Sequence, residues 1–165
     1  MVTNAVLTAD LWLVQEADEK FSQLVEEYQL KKRPFSLLMI DFDFFKQIND
    51  EFGHNEGDQV LKDFSNFLLT QLREKDIPIR YGGEEFAVLL PDATESLALK
   101  VASRLSENLA KYTFSTKKSH TISQGIAEYA GEHQLEAFVA RADKALYRAK
   151  TSGRNMIVTA EKVTL

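Results

Sequence analysis

The chain has 165 residues, enough for one domain with a hydrophobic core, and we expect residues 1–165 to form a single domain. Hydrophobic residues make up 44% and charged residues 27%, a balance that excludes an intrinsically disordered chain. Because the sequence contains no cysteine, disulfides, thiolate zinc sites and cysteine nucleophiles are excluded.

The net charge of −5 argues against binding a nucleic acid polymer through a general basic surface. A small nucleotide is still allowed, since a metal ion and a few cations can neutralise its phosphates. No apolar run approaches the ~20 residues that span a bilayer, and residues 1–10 lack the features of a signal peptide. We therefore expect a cytoplasmic domain that makes no membrane contact itself. The three histidines, His54, His120 and His133, lack the spacing of a zinc site.

The first half of the chain predicts a helix, a buried strand and a second helix. Apolar residues between Leu13 and Tyr28 recur every three or four positions, which indicates an amphipathic helix. Pro34 ends it, and the apolar run Phe35 to Ile40 is short enough for a buried strand that leads into Asp41. A further amphipathic helix is predicted from about Gln59 to Leu72.

The second half begins with a predicted hairpin. Two apolar runs, Ile77 to Tyr81 and Phe86 to Leu90, flank Gly82 and Gly83, and we expect a tight turn with positive φ at both glycines. A helix through residues 97–109, a strand at 120–129, a helix at 135–149 and a short strand at 156–159 follow. Hairpins inside an alternating pattern predict an α+β fold, with helices packed on a mainly antiparallel sheet.

Acidic residues stand where two of these strands begin or end. Asp41 and Asp43 follow the first strand, and Glu84 and Glu85 follow the two glycines. Carboxylates on a rigid sheet edge beside a bare backbone indicate a metal-bound phosphate site. If the two strands are neighbours, a metal ligand is favoured for Asp41. For Asp43, a metal ligand and a helix N-cap are both open.

Other polar residues have a binding and a structural interpretation. Lys46 could reach a phosphate, and Asn49 and Asp58 could read a purine edge, although Asn and Asp are also common in turns and caps. Lys150 and Arg154 flank a helix end. Helix-dipole complementation explains Lys150, but it explains Arg154 poorly because that residue lies beyond a glycine.

Three segments, 40–58, 80–86 and 141–155, resemble the diguanylate cyclase (GGDEF) family in order and spacing, and the likeness runs from about Leu7 to Val158. The resemblance implies a nucleotidyl-cyclase-like, ferredoxin-related fold. It also implies condensation of two GTP molecules into cyclic di-GMP with release of two pyrophosphates. Each 3′-OH attacks the α-phosphate of the other GTP, so two domains must face each other as a homodimer.

The resemblance also implies roles for individual residues. The metal positions, for magnesium or alternatively manganese, are Asp41, the Phe42 carbonyl, Glu84 and Glu85. The catalytic positions are Glu84, Glu85 and Arg80, which lies near the transferring phosphate. Because successive strand residues face opposite ways, Glu84 is favoured over Glu85 as the metal ligand. The GTP-binding positions are Phe44, Phe45, Lys46, Asn49, Asp58, Gly82, Gly83, Lys150 and Arg154.

A second site is implied at Arg73, Asp76 and Arg104, where the family binds its product as an inhibitor. In isolation, Arg73 and Asp76 are equally an ordinary helix-end ion pair. A catalytically silent cyclic di-GMP receptor that uses these residues is therefore the alternative to an active cyclase.

The sequence departs from the family pattern at two places. The stretch Ala5 to Leu13 retains only Leu7 and Thr8 of the family's opening motif, which puts its coupling to regulatory domains in question. Gln124 stands where the family prefers an aliphatic residue. It shares a strand face with Ile122 and Ile126, so we expect a hydrogen-bond partner or partial exposure for its amide.

Overall fold

The computed structural model of the protein describes residues 11–161. In that part of the chain, five helices and five strands follow one another. They are α1 Val14–Lys31, β1 Phe35–Phe42, α2 Phe45–Phe52, α3 His54–Gln71, β2 Ile77–Arg80, β3 Glu85–Pro91, α4 Glu95–Ala110, β4 Ile122–Glu128, α5 Leu135–Thr151 and β5 Ile157–Thr159. None of these helices combines the length and the apolar character that crossing a membrane requires.

The five strands form one sheet in the order β2-β3-β1-β4-β5. Strand β1 lies in the centre and pairs antiparallel with β3 and β4, while β2 pairs antiparallel with β3. Only β4 and β5 are parallel, and α5 provides the crossover between them. The predicted α+β fold with a mainly antiparallel sheet is confirmed.

Both faces of the sheet are covered, which explains why β1 is mostly apolar and does not alternate between apolar and polar residues. All eight residues of β1 are buried. Leu37 and Met39 point to a core shared with α1 and α5, whereas Leu38 and Ile40 point to a core shared with α3 and α4. A strand buried on both sides has no solvent-facing positions, so even its two polar residues, Ser36 and Asp41, are buried.

The largest difference from the predicted elements lies between β1 and the second predicted helix. This stretch contains the additional helix α2, and α3 begins at His54 instead of near Gln59. Gly53 joins the two helices with a φ of 89°. Only Phe45 and Ile48 of α2 are buried, so the apolar stripe of this short helix is too sparse to recognise by periodicity.

The prediction of positive φ at Gly82 and Gly83 was wrong. Neither glycine lies in the left-handed region. Strand β2 ends at Arg80 and β3 begins at Glu85, which leaves four residues between them, and the N–H groups of Tyr81 and Gly82 both donate to the Glu85 carbonyl at 3.1 Å. The connection is therefore a wider loop, which does not depend on left-handed backbone.

The two departures from the family pattern have different outcomes. Gln124 is fully buried, and its Nε2 donates to the Ala102 carbonyl at 3.0 Å and to Ser106 Oγ at 2.7 Å, so the expected partner is present. The segment 5–10 lies outside the described residues. Just after it, Trp12 extends the edge of the sheet, because its N–H donates to Pro78 and its carbonyl accepts from Arg80.

Candidate active site

The sheet brings the three acidic residues of the predicted metal site together at one edge, by which we mean the end of the sheet where β1 ends and β3 begins. Strands β1 and β3 are neighbours, and Asp41 lies directly opposite Glu85 in their register. Directly opposite residues of an antiparallel pair project from the same face. Glu84 is adjacent, since its carbonyl accepts a hydrogen bond from Phe42 N–H at 3.3 Å.

Mutual repulsion and burial shape the electrostatics of this edge. Burial raises the pKa of Asp41, whose side chain is 4% exposed, and the neighbouring Lys150 ammonium offsets only part of that effect. Burial also raises the pKa of Glu84 and of Glu85, and in both cases the charge of Asp41 raises it further. A cation bound beside these three carboxylates would favour their ionised forms and so lower all three pKa values.

A divalent metal ion fits the donor set. Asp41 Oδ2 accepts a hydrogen bond from Lys150 Nζ, but the buried Oδ1 has no hydrogen-bond partner among residues 11–161. An unsatisfied buried carboxylate oxygen is costly, and hard oxygen donors suit magnesium. Within residues 11–161, no three His, Cys, Asp or Glu side chains are clustered closely enough to hold a metal ion together.

The structure places Glu84 in the loop and Glu85 at the first position of β3. The alternation argument that favoured Glu84 applies only to residues within a strand. Glu85 shares the face of Asp41, and Glu84 lies beside Phe42. The preference for Glu84 as the metal ligand stays a prediction, since both glutamates lie beside the end of β1 that carries Asp41.

Asp43 is not a helix N-cap, and its carboxylate already accepts three hydrogen bonds. The N-cap of α2 is Phe44. The Asp43 carboxylate accepts hydrogen bonds from Thr121 Oγ1 at 2.7 Å, Ser123 Oγ at 2.6 Å and Asn155 N–H at 2.9 Å. These contacts join β1, β4 and the segment after α5. Sequence reasoning missed them because the donors lie about 80 and 110 positions away along the chain.

Helices α2 and α3 carry the predicted guanine-reading residues. Asn49 lies against Gly57, where a Cβ atom would stand 1.9 Å from Asn49 Oδ1, so only glycine leaves room for that side chain. Asp58 follows on the same turn of α3 and faces Arg80, where its charge opposes the lowering of the Arg80 pKa by burial. Lys46 is exposed in the first turn of α2.

The end of α5 supplies the two predicted phosphate-binding cations. Lys150 contacts Asp41. Beyond the helix, the guanidinium carbon of Arg154 lies 4.9 Å from the ring centroid of Phe44, which is half-exposed in front of α2. Lys46, Lys150 and Arg154 therefore surround the same edge of the sheet as the acidic residues.

Arg80 donates hydrogen bonds to the loop between β2 and β3, which contains Gly82 and Gly83. Its Nε donates to the Gly82 carbonyl at 2.7 Å and its Nη2 donates to the Gly83 carbonyl. Its guanidinium also lies 5.1 Å from the Phe86 ring. Among the described residues, nothing would lie within 4 Å of a Cβ atom at Gly83, so space is open beside the loop. The structure thus gives Arg80 a positioning contact in addition to its predicted catalytic role.

The predicted inhibitory residues also come together, at the other end of β3. Arg73 Nη2 lies 2.6 Å from Asp76 Oδ1 and 2.9 Å from the Pro91 carbonyl. Arg104 reaches the same turn through the Gln71 carbonyl at 2.7 Å. Asp76 is almost fully buried, so this pair also has a structural role in closing the turn after α3.

Comparison with known proteins identifies the family. The sequence model described as "Diguanylate cyclase, GGDEF domain" matches residues 13–156. The chain belongs to the diguanylate cyclase (GGDEF) family. The response regulator PleD of Caulobacter vibrioides is 43% identical over 145 residues, which cover 84% of this chain and 32% of PleD. The GGDEF chain therefore spans about a third of the length of this relative.

Solved GGDEF structures share the fold. The GGDEF domain of DgcB from Caulobacter crescentus, in complex with cyclic di-GMP, superposes with a TM-score of 0.85 at 28% identity, covering 93% of this chain and 90% of that one. The active GGEEF domain of a diguanylate cyclase from Vibrio cholerae gives a TM-score of 0.85 at 28% identity, covering 93% and 100%. Its name carries the same Gly-Gly-Glu-Glu-Phe sequence that this chain has at residues 82–86.

Proposed function

We propose that this domain is a diguanylate cyclase, which condenses two GTP molecules into cyclic di-GMP and releases two pyrophosphates. The observation that carries the proposal is the group of carboxylates where β1 ends and β3 begins. There, the buried Asp41, with one oxygen lacking a partner, lies opposite Glu85, beside Glu84 and next to Lys150. The family match supports the same activity.

The metal positions are Asp41, the Phe42 carbonyl, Glu84 and Glu85. A magnesium or manganese ion bound there would offset triphosphate charge and lower the pKa of the attacking hydroxyl. Asp41 lies on the rigid central strand, which fixes the site relative to the sheet. The raised pKa values of the three carboxylates mark it as a place where negative charge is concentrated and a cation is favoured.

The nucleotide positions lie around this edge. Asp58 would accept hydrogen bonds from guanine N–H groups, and the Asn49 amide can both accept from and donate to the guanine edge. The first turn of α2, from Phe44 to Lys46, has main-chain N–H groups without intrahelical partners, which suit a phosphate. Lys46, Lys150 and Arg154 add charge for the leaving pyrophosphate. The open space at Gly83 would leave room for the nucleotide.

Turnover requires a second copy of the domain. One domain has one such edge and therefore one GTP. The product contains two phosphodiester bonds, each formed by attack of one nucleotide on the other. A homodimer with facing sites supplies both nucleotides in the required orientation.

Incubation of the purified protein with GTP and magnesium tests the proposal. We expect cyclic di-GMP with two pyrophosphates per product. Glu84→Gln, which removes a charge with little change in shape, should abolish turnover while GTP still binds. Glu107→Gln on the exposed face of α4 is the matched control. Retained turnover in Glu84→Gln would overturn the metal assignment.

The second candidate function is a catalytically silent cyclic di-GMP receptor, favoured by the assembled Arg73, Asp76 and Arg104 cluster. An absence of product at high protein concentration, with cyclic di-GMP still bound, would select it. For an active enzyme we propose that the same cluster mediates feedback inhibition.

Product titrations test the feedback site. Arg73→Ala and Arg104→Ala should each weaken inhibition by cyclic di-GMP, because the guanidinium fork suits both phosphate and a guanine edge. Lys100→Ala, which removes an exposed cation from the same helix as Arg104, should not. The same inhibition constant in the wild type and in Arg73→Ala would show that the site is not used.

A further inference from the structure

The segment after α5 has an unusual backbone. Gly153, Arg154 and Asn155 all have positive φ, at 123°, 65° and 47°. Glycine adopts this region freely, but for a residue such as Arg154 it is uncommon and must be held by surrounding contacts. We call residues 153–155 the arginine turn.

Two hydrogen bonds fix the main chain of the arginine turn. Arg154 N–H donates to the Ala149 carbonyl at 3.0 Å, which closes the helix end in a Schellman arrangement. Asn155 N–H donates to Asp43 Oδ2 at 2.9 Å. The first bond is local to α5. The second is the tie from this turn to the central strand.

Asp43 can fix the position of the arginine turn because hydrogen bonds fix its own carboxylate. It is 5% exposed, and Thr121 Oγ1 and Ser123 Oγ donate to its two oxygens at 2.7 and 2.6 Å. All three donors are neutral, so the carboxylate acts as an acceptor for converging donors and forms no ion pair with any residue between 11 and 161. A carboxylate accepts at both oxygens, whereas an asparagine amide would accept at one atom only and donate at the other.

The consequence is the position of the Arg154 side chain. Its guanidinium lies 4.9 Å from the ring of Phe44, the residue that follows Asp43, and Phe44 is also left-handed, with a φ of 57°. Asp43 is therefore linked to both partners of this contact, since it precedes Phe44 in the chain and binds the N–H of Asn155, the residue after Arg154. Displacement of the arginine turn would move Arg154 away from the first turn of α2.

We propose that Asp43 is a positioning residue, which holds the arginine turn so that Arg154 meets the nucleotide phosphates. The role in phosphate binding rests on the proposed function of this site. The proposed role requires no contact of Asp43 with metal or nucleotide. It acts through the Asn155 N–H group, and its effect is confined to the part of the affinity that phosphates contribute.

The first test needs no nucleotide. Amide hydrogen exchange of Asn155 is compared in the wild type, Asp43→Asn and Asp18→Asn, an exposed aspartate on α1 that receives the same chemical change. We expect exchange to accelerate about tenfold in Asp43→Asn, as for one lost charge-assisted hydrogen bond, and to stay unchanged in Asp18→Asn. Unchanged exchange in a folded Asp43→Asn would overturn the proposal.

The second test separates phosphate binding from a general loss of structure. Equilibrium titrations with magnesium–GTP and with guanosine are made for Asp43→Asn, Arg154→Ala and the double variant. We expect Asp43→Asn to weaken GTP about tenfold and guanosine hardly at all, and the double variant to be no weaker than Arg154→Ala. Equal losses for both ligands, or additive losses in the double variant, would contradict positioning.

Thr121→Val keeps the inference testable if Asp43→Asn fails to fold. It removes one donor to Asp43, and we expect a smaller loss with the same selectivity for GTP; an unselective loss counts against the proposal. A wild type that binds no GTP contradicts the proposed function of the domain. In that case the exchange measurement still decides whether Asp43 holds the arginine turn.

Discussion

Asp41 and Asp43 show how packing gives two identical residues different roles. Both are buried at the end of β1. Asp41 has an oxygen without a partner among the described residues and a cationic neighbour, so it is suited to a metal ion. Asp43 has a donor for each oxygen, so it is suited to holding structure. The difference arises from the donors that β4 and the arginine turn bring to each carboxylate.

At the residue scale, metal binding should depend on pH. Burial raises the pKa values of Asp41, Glu84 and Glu85, and the charge of Asp41 further raises the pKa values of the two glutamates. The folded protein therefore holds protons that the unfolded chain has released, and the metal-free fold loses stability as pH rises from the ordinary carboxyl range near about 4 through the raised values. A metal ion needs the ionised forms, so its affinity increases over the same rise.

We accordingly expect manganese or magnesium to raise the thermal midpoint more at about pH 8 than at about pH 5. Thermal unfolding with and without the metal checks this. The pH-dependent increment should disappear in Asp41→Asn and persist in Asp50→Asn, an exposed aspartate on α2. An increment of equal size at both pH values would contradict the assignment.

Gly57 gives a second residue-scale prediction. A Cβ atom there would lie 1.9 Å from Asn49 Oδ1 and 3.2 Å from Phe45, so Gly57→Ala must displace the Asn49 side chain. Alanine favours a helix by about 1 kcal/mol over glycine, which offsets the local crowding and leaves stability nearly unchanged. We expect GTP affinity to fall roughly tenfold, for the loss of one hydrogen bond to guanine.

Steady-state KM for GTP and direct binding measure this effect. Asn55→Ala, an exposed substitution in the same turn of α3, is the control and should leave both unchanged. An unaltered KM in Gly57→Ala would mean that Asn49 does not read the base.

At the scale of elements, the position of α5 on the sheet decides where Lys150 and Arg154, the proposed phosphate-binding cations, lie. Strand β4 carries Gly125 beneath the helix. A Cβ atom at this glycine would stand 2.4 Å from the Ala142 carbonyl and 2.4 Å from Leu146 N, both main-chain atoms that cannot rotate away. The close approach places Lys150 and the arginine turn against the ends of β1 and β4.

Gly125→Ala should therefore destabilise the domain by about 1–3 kcal/mol, because the whole helix has to shift. Urea unfolding measures the change. Gly83→Ala is the matched control for stability, since the described residues leave open space there and its φ is not left-handed, and we expect a change within about 0.5 kcal/mol. Equal urea midpoints for the two variants would show that α5 adapts without cost.

At the scale of the whole molecule, the two clusters lie at opposite ends of β3. Glu85 begins this strand and Pro91, which accepts from Arg73, ends it. Seven residues of strand span about 20 Å, so product bound near Arg73 would not occupy the catalytic edge of the same domain. Feedback inhibition would then act on how two domains approach each other.

If the proposed reaction needs two facing domains, activity will depend on protein concentration. With saturating GTP, the initial rate per domain should rise in proportion to concentration while the dimer is dilute, and then reach a plateau. Dilution series of the initial rate, with sedimentation measurements of the dimer on the same samples, check this. A rate per domain that does not change while the protein is monomeric would contradict a two-domain reaction.

Local sequence was enough to predict most of the secondary structure and the family of the protein. Apolar periodicity predicted most helices and strands, because amphipathic faces and buried strands are properties of a few consecutive residues. The motif spacing predicted the family, which the comparisons confirm. Gln124 was predicted to need a partner, since the cost of an unpaired buried amide does not depend on the fold.

The tertiary structure alone decided the rest. The short helix α2, the wide loop at Gly82 and Gly83 and the clamp by Arg80 depend on packing and on side-chain hydrogen bonds. The role of Asp43 depends on Thr121, Ser123 and Asn155, which only folding brings to it. Sequence patterns describe neighbours along the chain, whereas the partners of a buried polar group come from wherever the sheet and its crossovers place them.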